Sequence, residues 1–259
     1  MIAAADTFGS YGSAGQLGIP LRAARATDRL VTGVIALVLA LIVAFSGYAL
    51  WDEFRVLNAD SGLQKPTSAE SFAALLAINP DVVAWLTVDN TGIDYPVVQG
   101  KDDFEYLSTD PTGEYAASGS IFLMSECDRS FHEPYEVLMG HHMQYGKMFG
   151  DLDKFLDQQF FEQNGSAELL LPDRTLSLEA VAVLTADAYD NAIFGVPVTE
   201  SGMPGLVDAI SERATYQREG SFSADDQLIA LSTCASSGAN ARTVLVCKVT
   251  GEQPGVAAS

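Results

Sequence analysis

The chain is poor in three things that would point to common functions. It has three cysteines in 259 residues, too few for a disulfide framework. It has three histidines, with no CxxC, HExxH or paired Cys/His spacing, so no structural metal is written into it. It is short of positive charge: 14 Lys and Arg stand against 34 Asp and Glu, a formal net charge of −20. Phosphate backbones are bound by basic faces, which argues against a nucleic-acid partner. The charge describes a solvated, self-repelling surface.

One stretch lacks charge altogether. LVTGVIALVLALIVAFSGYAL, Leu30–Leu50, is 21 residues without a charge. At about 1.5 Å per residue it spans roughly 30 Å, the hydrocarbon thickness of a bilayer. Tyr48 and Trp51 close it with interfacial aromatics, and Arg22, Arg25 and Arg29 precede it. The reading is a disordered cytoplasmic tail over 1–29, a transmembrane signal anchor over 30–50 and a linker over 51–67. A cleaved signal peptide is the rival, because Ala44–Ser46 weakly resembles a cleavage site. Its apolar region would be shorter, about 7–15 residues. With an anchor, the chain from Asp52 onward lies outside the cell. Without the tail's three arginines and two aspartates, 11 basic and 32 acidic residues remain, a net of −21.

The exposed domain, 68–252, opens with a helix over Ser68–Ile78. Thr67 and Glu70 have capping-box spacing, and Phe72, Leu75, Leu76 and Ile78 fall near helical spacing. Short strands follow near Ala84–Val88, Ile93–Gln99, Gly119–Met124, Glu136–Gly140, Ala167–Leu171, Thr175–Ala186, Gln227–Thr233 and Thr243–Val249. Asp89–Gly92, DNTG, marks a turn between the first two. Helical segments interrupt them near Met148–Gln159 and over Met203–Ala214. Many short strands with few helices suggest a mostly β fold, a closed or nearly closed barrel of about eight strands. N-terminal helices precede it and a late helix lies between its strands. Residues 253–259 form a short polar tail.

Cys234 ends an apolar strand, LIALS, and is followed by a small-residue loop, ASSGANA. Cys247 sits inside TVLVCKV and reads as a core thiol. Cys127 lies in a polar loop, and a Cys127–Cys247 disulfide is left open. A cysteine nucleophile needs a group to take its proton and a positive neighbour. His141 and His142 follow an apolar strand, while His132 lies in a polar loop. On a strand the paired histidines would point to opposite faces, a poor arrangement for one metal. Arg242 begins the strand after the Cys234 loop. If the strands flanking that loop are antiparallel neighbours, Cys234 and Arg242 share one end of the sheet. A guanidinium there stays charged and stabilises an oxyanion. The bland alternative keeps His141 as a polar strand-end residue and Arg242 as a solvated charge.

Three segments resemble the sortases. LSTC, followed eight residues later by Arg242 and an apolar strand, resembles the family's signature strand pair. GHHMQYGKMFGDLDKF, Gly140–Phe155, is similar to the histidine segment of class B members. IDYPVVQGKDDFEYL, Ile93–Leu107, resembles their early strand and turn. The resemblance covers about Asp81–Val249. It implies Cys234 as nucleophile, His141 as general acid/base and Arg242 as oxyanion or substrate clamp, with Ser232 and Thr233 as weak substrate contacts. It implies a transpeptidase that cuts a C-terminal sorting signal of surface proteins after threonine. The thioacyl group then passes to an amine of a cell-wall precursor or to a pilin lysine. No cofactor and no metal are implied. A catalytically silent membrane-anchored binding protein and a cysteine hydrolase remain as alternatives.

Overall fold

Strand β1, Val82–Val88, is buried almost end to end, because both of its faces are covered. Val83, Leu86 and Val88 join the main core. Val82 and Trp85 join a second cluster with Phe72 and Leu75 of the N-terminal helix. In the computed structural model, which describes residues 18–57, 62–234 and 240–255, eight further strands follow. They are β2 (Asp94–Val98), β3 (Ile121–Leu123), β4 (Tyr135–Met139), β5 (Ser166–Leu170), β6 (Arg174–Asp187), β7 (Ala214–Gln217), β8 (Leu228–Cys234) and β9 (Ala241–Pro254). The order β5-β1-β2-β3-β4-β8-β9-β6 closes on itself, since β5 also pairs with β6. Eight strands therefore form a closed barrel, as the sequence suggested. β7 is a ninth strand that hangs on β6 alone.

The pairing is mixed. β2–β3 and β4–β8 are parallel, and the other pairs are antiparallel. β6 and β9 are the longest partners, with two register shifts that bend them around the ring. The DNTG turn is present: the Thr91 N–H donates to the Val88 carbonyl, and Asn90 takes a positive φ.

The α-helices among the described residues are α1 (Gly18–Leu57), α2 (Ala69–Ile78), α3 (Gln158–Gln163), α4 (Asn191–Phe194) and α5 (Met203–Arg213). α1 holds the apolar run of Leu30–Leu50 and buries none of it, and Arg25–Trp51 is long and apolar enough to cross a membrane. Its helix also takes in Gly18–Arg29, expected to be irregular. Of the expected tail, 1–17 lie outside the described residues. So do 58–61 of the linker, 235–239 of the Cys234 loop and 256–259. The chain divides into two units, Met1–Arg55 and Val56–Ser259.

The cap of α2 differs from the expected one. Ser68 is the N-cap, and it exchanges hydrogen bonds with Ser71. Thr67 and Glu70 sit one place too early for that geometry. Phe72 and Leu75 then bury against the outer face of β1, each contributing about 1.5–3 kcal/mol. α5 lies between β6 and β7 and buries Met203, Leu206, Ala209 and Ile210, the late helix foreseen. The segment near Met148–Gln159 is a 3-10 stretch, Gly150–Leu156, followed by α3.

Candidate active site

Register alone brings the candidate residues to one rung. β4 and β8 run parallel with Met139 opposite Ser232. One more backbone bond follows, from the Gly140 N–H to the Ser232 carbonyl at 3.1 Å. β8 and β9 run antiparallel with Cys234 opposite Arg242. The strands flanking the Cys234 loop are thus antiparallel neighbours. Continued past Met139, the β4 register sets His141 level with Cys234. Three adjacent strands therefore deliver His141, Cys234 and Arg242 to the same end of the barrel.

His141 is held by its surroundings. Its Nε2–H donates to the Leu107 carbonyl at 2.7 Å. A carbonyl only accepts, so Nε2 carries the proton and Nδ1 is left to gain or lose one. The 3-10 turn Glu105–Leu107 presents that carbonyl. Gly119 lies directly against it, with φ of 56°, and a Cβ there would sit 2.6 Å from the Leu107 oxygen. Only glycine allows this approach. On the other side, the Phe149 N–H donates to the His141 carbonyl at 3.1 Å.

The neighbouring histidine goes elsewhere. His142 donates from Nε2 to Asp153 Oδ2 at 2.9 Å. His132 is an exposed residue near the start of β4, 3.6 Å from Asp128. Ser232 and Thr233 are fully buried, and their hydroxyls have no hydrogen-bond partner among the described residues. Arg242 is partly buried and pairs with Ala186 of β6 as well as with Cys234.

The other cysteines are free and buried. Cys247 lies opposite Ile229, and burial pushes its thiol up to about 12. Burial raises the Cys127 thiol further, with the Glu136 carboxyl beside it adding to the effect. Two residues of the site carried no signal in the sequence. Leu107 acts through its backbone carbonyl, which any residue offers. Asp153 is one acid among 34 Asp and Glu.

No family model matches the chain. Sortase B of Listeria monocytogenes serovar 1/2a is 33% identical over 168 residues, which span 62% of this chain and 65% of that protein. The chain thus spans just under two thirds of that relative's length. The structure of Clostridium perfringens sortase B superposes with a TM-score of 0.65 at 30% identity, covering 70% of this chain and all of that one. A Streptococcus pyogenes class B sortase involved in pilus biogenesis gives a TM-score of 0.61 at 31% identity, covering 69% of this chain and 97% of that one.

Proposed function

The chain belongs to the class B sortases, a family of cysteine transpeptidases, and from that premise we propose that Cys234, His141 and Arg242 carry out its transfer reaction. The observation that supports this is the shared rung. A thiol, an imidazole and a guanidinium on three neighbouring strands have the composition that acyl transfer through a thioester requires.

The Cys234 thiolate attacks the carbonyl of a threonine in a C-terminal sorting signal. A tetrahedral oxyanion forms, and Arg242 with backbone N–H groups holds its charge. His141 gives a proton from Nδ1 to the departing amine, while the Leu107 carbonyl keeps Nε2–H in place. The thioester remains on Cys234. An incoming amine then attacks the thioester and loses its proton to His141, and the Cys234 thiolate leaves, which restores the starting pair.

The substrate is a surface protein with a sorting motif. The acceptor is an amine of a cell-wall precursor or a pilin lysine, and the pilus role of the S. pyogenes relative keeps the second in view. The helix over Leu30–Leu50 anchors the enzyme, with arginines on the cytoplasmic side and the barrel outside.

The test uses the full chain in detergent micelles, a pool of C-terminal sorting peptides and an amine acceptor, read by mass spectrometry beside Cys234→Ala. Amine-capped products cut after threonine, absent from the variant, support the reading and name the motif. Hydrolysis that no amine diverts favours a cysteine hydrolase. No product, with Cys234 inert to alkylation, leaves a binding protein.

A further inference from the structure

The β8–β9 ladder includes Cys234 and Arg242, whereas the β4–β8 ladder ends just below His141. The paired register of β4 and β8 stops at Met139 and Ser232, with one bond beyond it. β4 has no ladder to β9 at all, because β8 lies between them. Side chains can then add to the two ladders in fixing the histidine segment relative to the arginine strand.

Asp153 spans that gap. Its Oδ2 accepts from His142 Nε2 at 2.9 Å, and its Oδ1 accepts from the Thr243 hydroxyl at 2.9 Å. His142 adjoins His141. Thr243 adjoins Arg242 and lies opposite Thr233, the residue before Cys234. One carboxylate therefore straddles the nucleophile strand and ties together the strands on either side of it. Thr243 is fully buried, and the His142 and Asp153 side chains are 28% and 31% exposed. Shielded, charge-assisted bonds of this kind hold geometry better than surface pairs do.

The base under Asp153 is itself fixed. Leu152 and Phe155 on the same 3-10 stretch are fully buried. Asp151 accepts from the Gly92 N–H at 2.8 Å and from Lys154 Nζ at 2.7 Å. A carboxylate on so well anchored a segment can act as a spacer.

We propose that Asp153 is a positioning residue for the transfer reaction, fixing His141 and Arg242 relative to each other across Cys234 through the His142–Asp153–Thr243 bridge. This rests on the reading of those three residues as the reacting set. Its two bonds go to His142 and Thr243, the residues that adjoin His141 and Arg242. Its effect is on alignment, where a displacement of about 1 Å costs on the order of 10²-fold in rate.

The experiment compares the full chain in detergent with Asp153→Ala, Asp153→Asn and Thr243→Val. Steady-state release of the leaving fragment gives kcat and KM for a sorting peptide, and thermal unfolding is followed in parallel. Asp153→Ala is expected to lower kcat about 10²-fold with KM within about 2-fold. Asp153→Asn keeps the shape and one accepting oxygen and recovers most of that loss. Thr243→Val cuts one arm and falls between them, and its effect does not add to that of Asp153→Ala. A kcat for Asp153→Ala within 3-fold of the parent overturns the proposal. So does a loss that merely follows the folded fraction and that Asp153→Asn does not restore.

Alkylation of Cys234 by iodoacetamide, followed against pH, separates this proposal from the one it rests on. If the parent transfers nothing, the transpeptidase reading fails while the alkylation profile still reports alignment. A profile displaced by Asp153→Ala supports the bridge, and an unchanged profile overturns it.

Discussion

Two levels of the β4–β8–β9 sheet each carry a cysteine and differ in the residues beside it. Glu136 lies opposite Ile229, and Ile229 opposite Cys247. Five residues further along each strand come His141, Cys234 and Arg242. The lower rung is sealed: Glu136 and Cys247 have no exposed surface. Desolvation raises Cys247 to about 12 and Glu136 to about 8, so one stays a thiol and the other a neutral acid at neutral pH. The upper rung lies where the ladder ends, with His141 and Arg242 partly exposed and His141 bound to a carbonyl. Burial makes the Cys247 thiol inert, and the proposed nucleophile, Cys234, lies five residues higher, at the end of the β8–β9 ladder.

The sharpest way to break the comparison is to remove the upper thiol. Cys234→Ala should abolish amine-capped product, a fall of at least about 10⁴-fold, with the unfolding midpoint nearly unchanged. Full turnover by this variant would put the chemistry elsewhere on the barrel. The next effect is that of the clamp. Arg242→Lys keeps the charge but loses the planar fork, and kcat for acylation should fall about 10²-fold. Single-turnover kinetics check this, and an unaffected rate would return Arg242 to the status of a solvated charge.

The height difference was only partly legible in the sequence. The apolar runs of β1, β4, β6, β8 and the first part of β9 are long enough to announce themselves, and the spacing of Cys234 and Arg242 points to a hairpin. β7 was missed because its four residues follow α5 with no turn residue between them. β9 runs on to Pro254 through Gly251–Gln253, which have no apolar pattern and are held by backbone pairing to β6. At the site, Leu107 and Asp153 were invisible for a related reason. A carbonyl has no side-chain signature, and Asp153 gains its place from a segment far from Thr243 in the chain. Glu136 is the reverse case: an acid that reads as surface and is sealed in the core.

That acid makes the lower rung sensitive to pH. Its neighbours are the Cys127 thiol and the Glu133 and Asp128 carboxyls, and Tyr135 and Val137 flank it on β4. Glu136 is raised to about 8 in the fold, above the ordinary carboxylate value of 4.5. Between those two values the folded chain holds a proton that the unfolded chain has lost. Stability from this group therefore falls as pH rises, by up to about 1.4 kcal/mol per unit, and levels off above the folded value. Glu136→Gln keeps the shape and removes the titration. Urea unfolding at pH 5 and at pH 8 should show a smaller difference in the variant than in the parent, and an identical difference would mean that Glu136 is solvated.

The smallest effect is expected from the lower thiol, and it completes the contrast with Cys234. Cys247→Ala removes one buried atom from a packed position between β6 and β8, opposite Ala180 and Ile229. The cost is a small cavity, about 1 kcal/mol in unfolding free energy. Its sulfur is withheld from solvent five residues below the upper rung, so kcat and KM should match the parent. An alkylating agent should label Cys234 in the folded chain and reach Cys247 and Cys127 only on unfolding. Labelling of Cys247 at the rate of Cys234 would show that the lower rung opens in solution. Height on the strand would then not be what separates the two thiols.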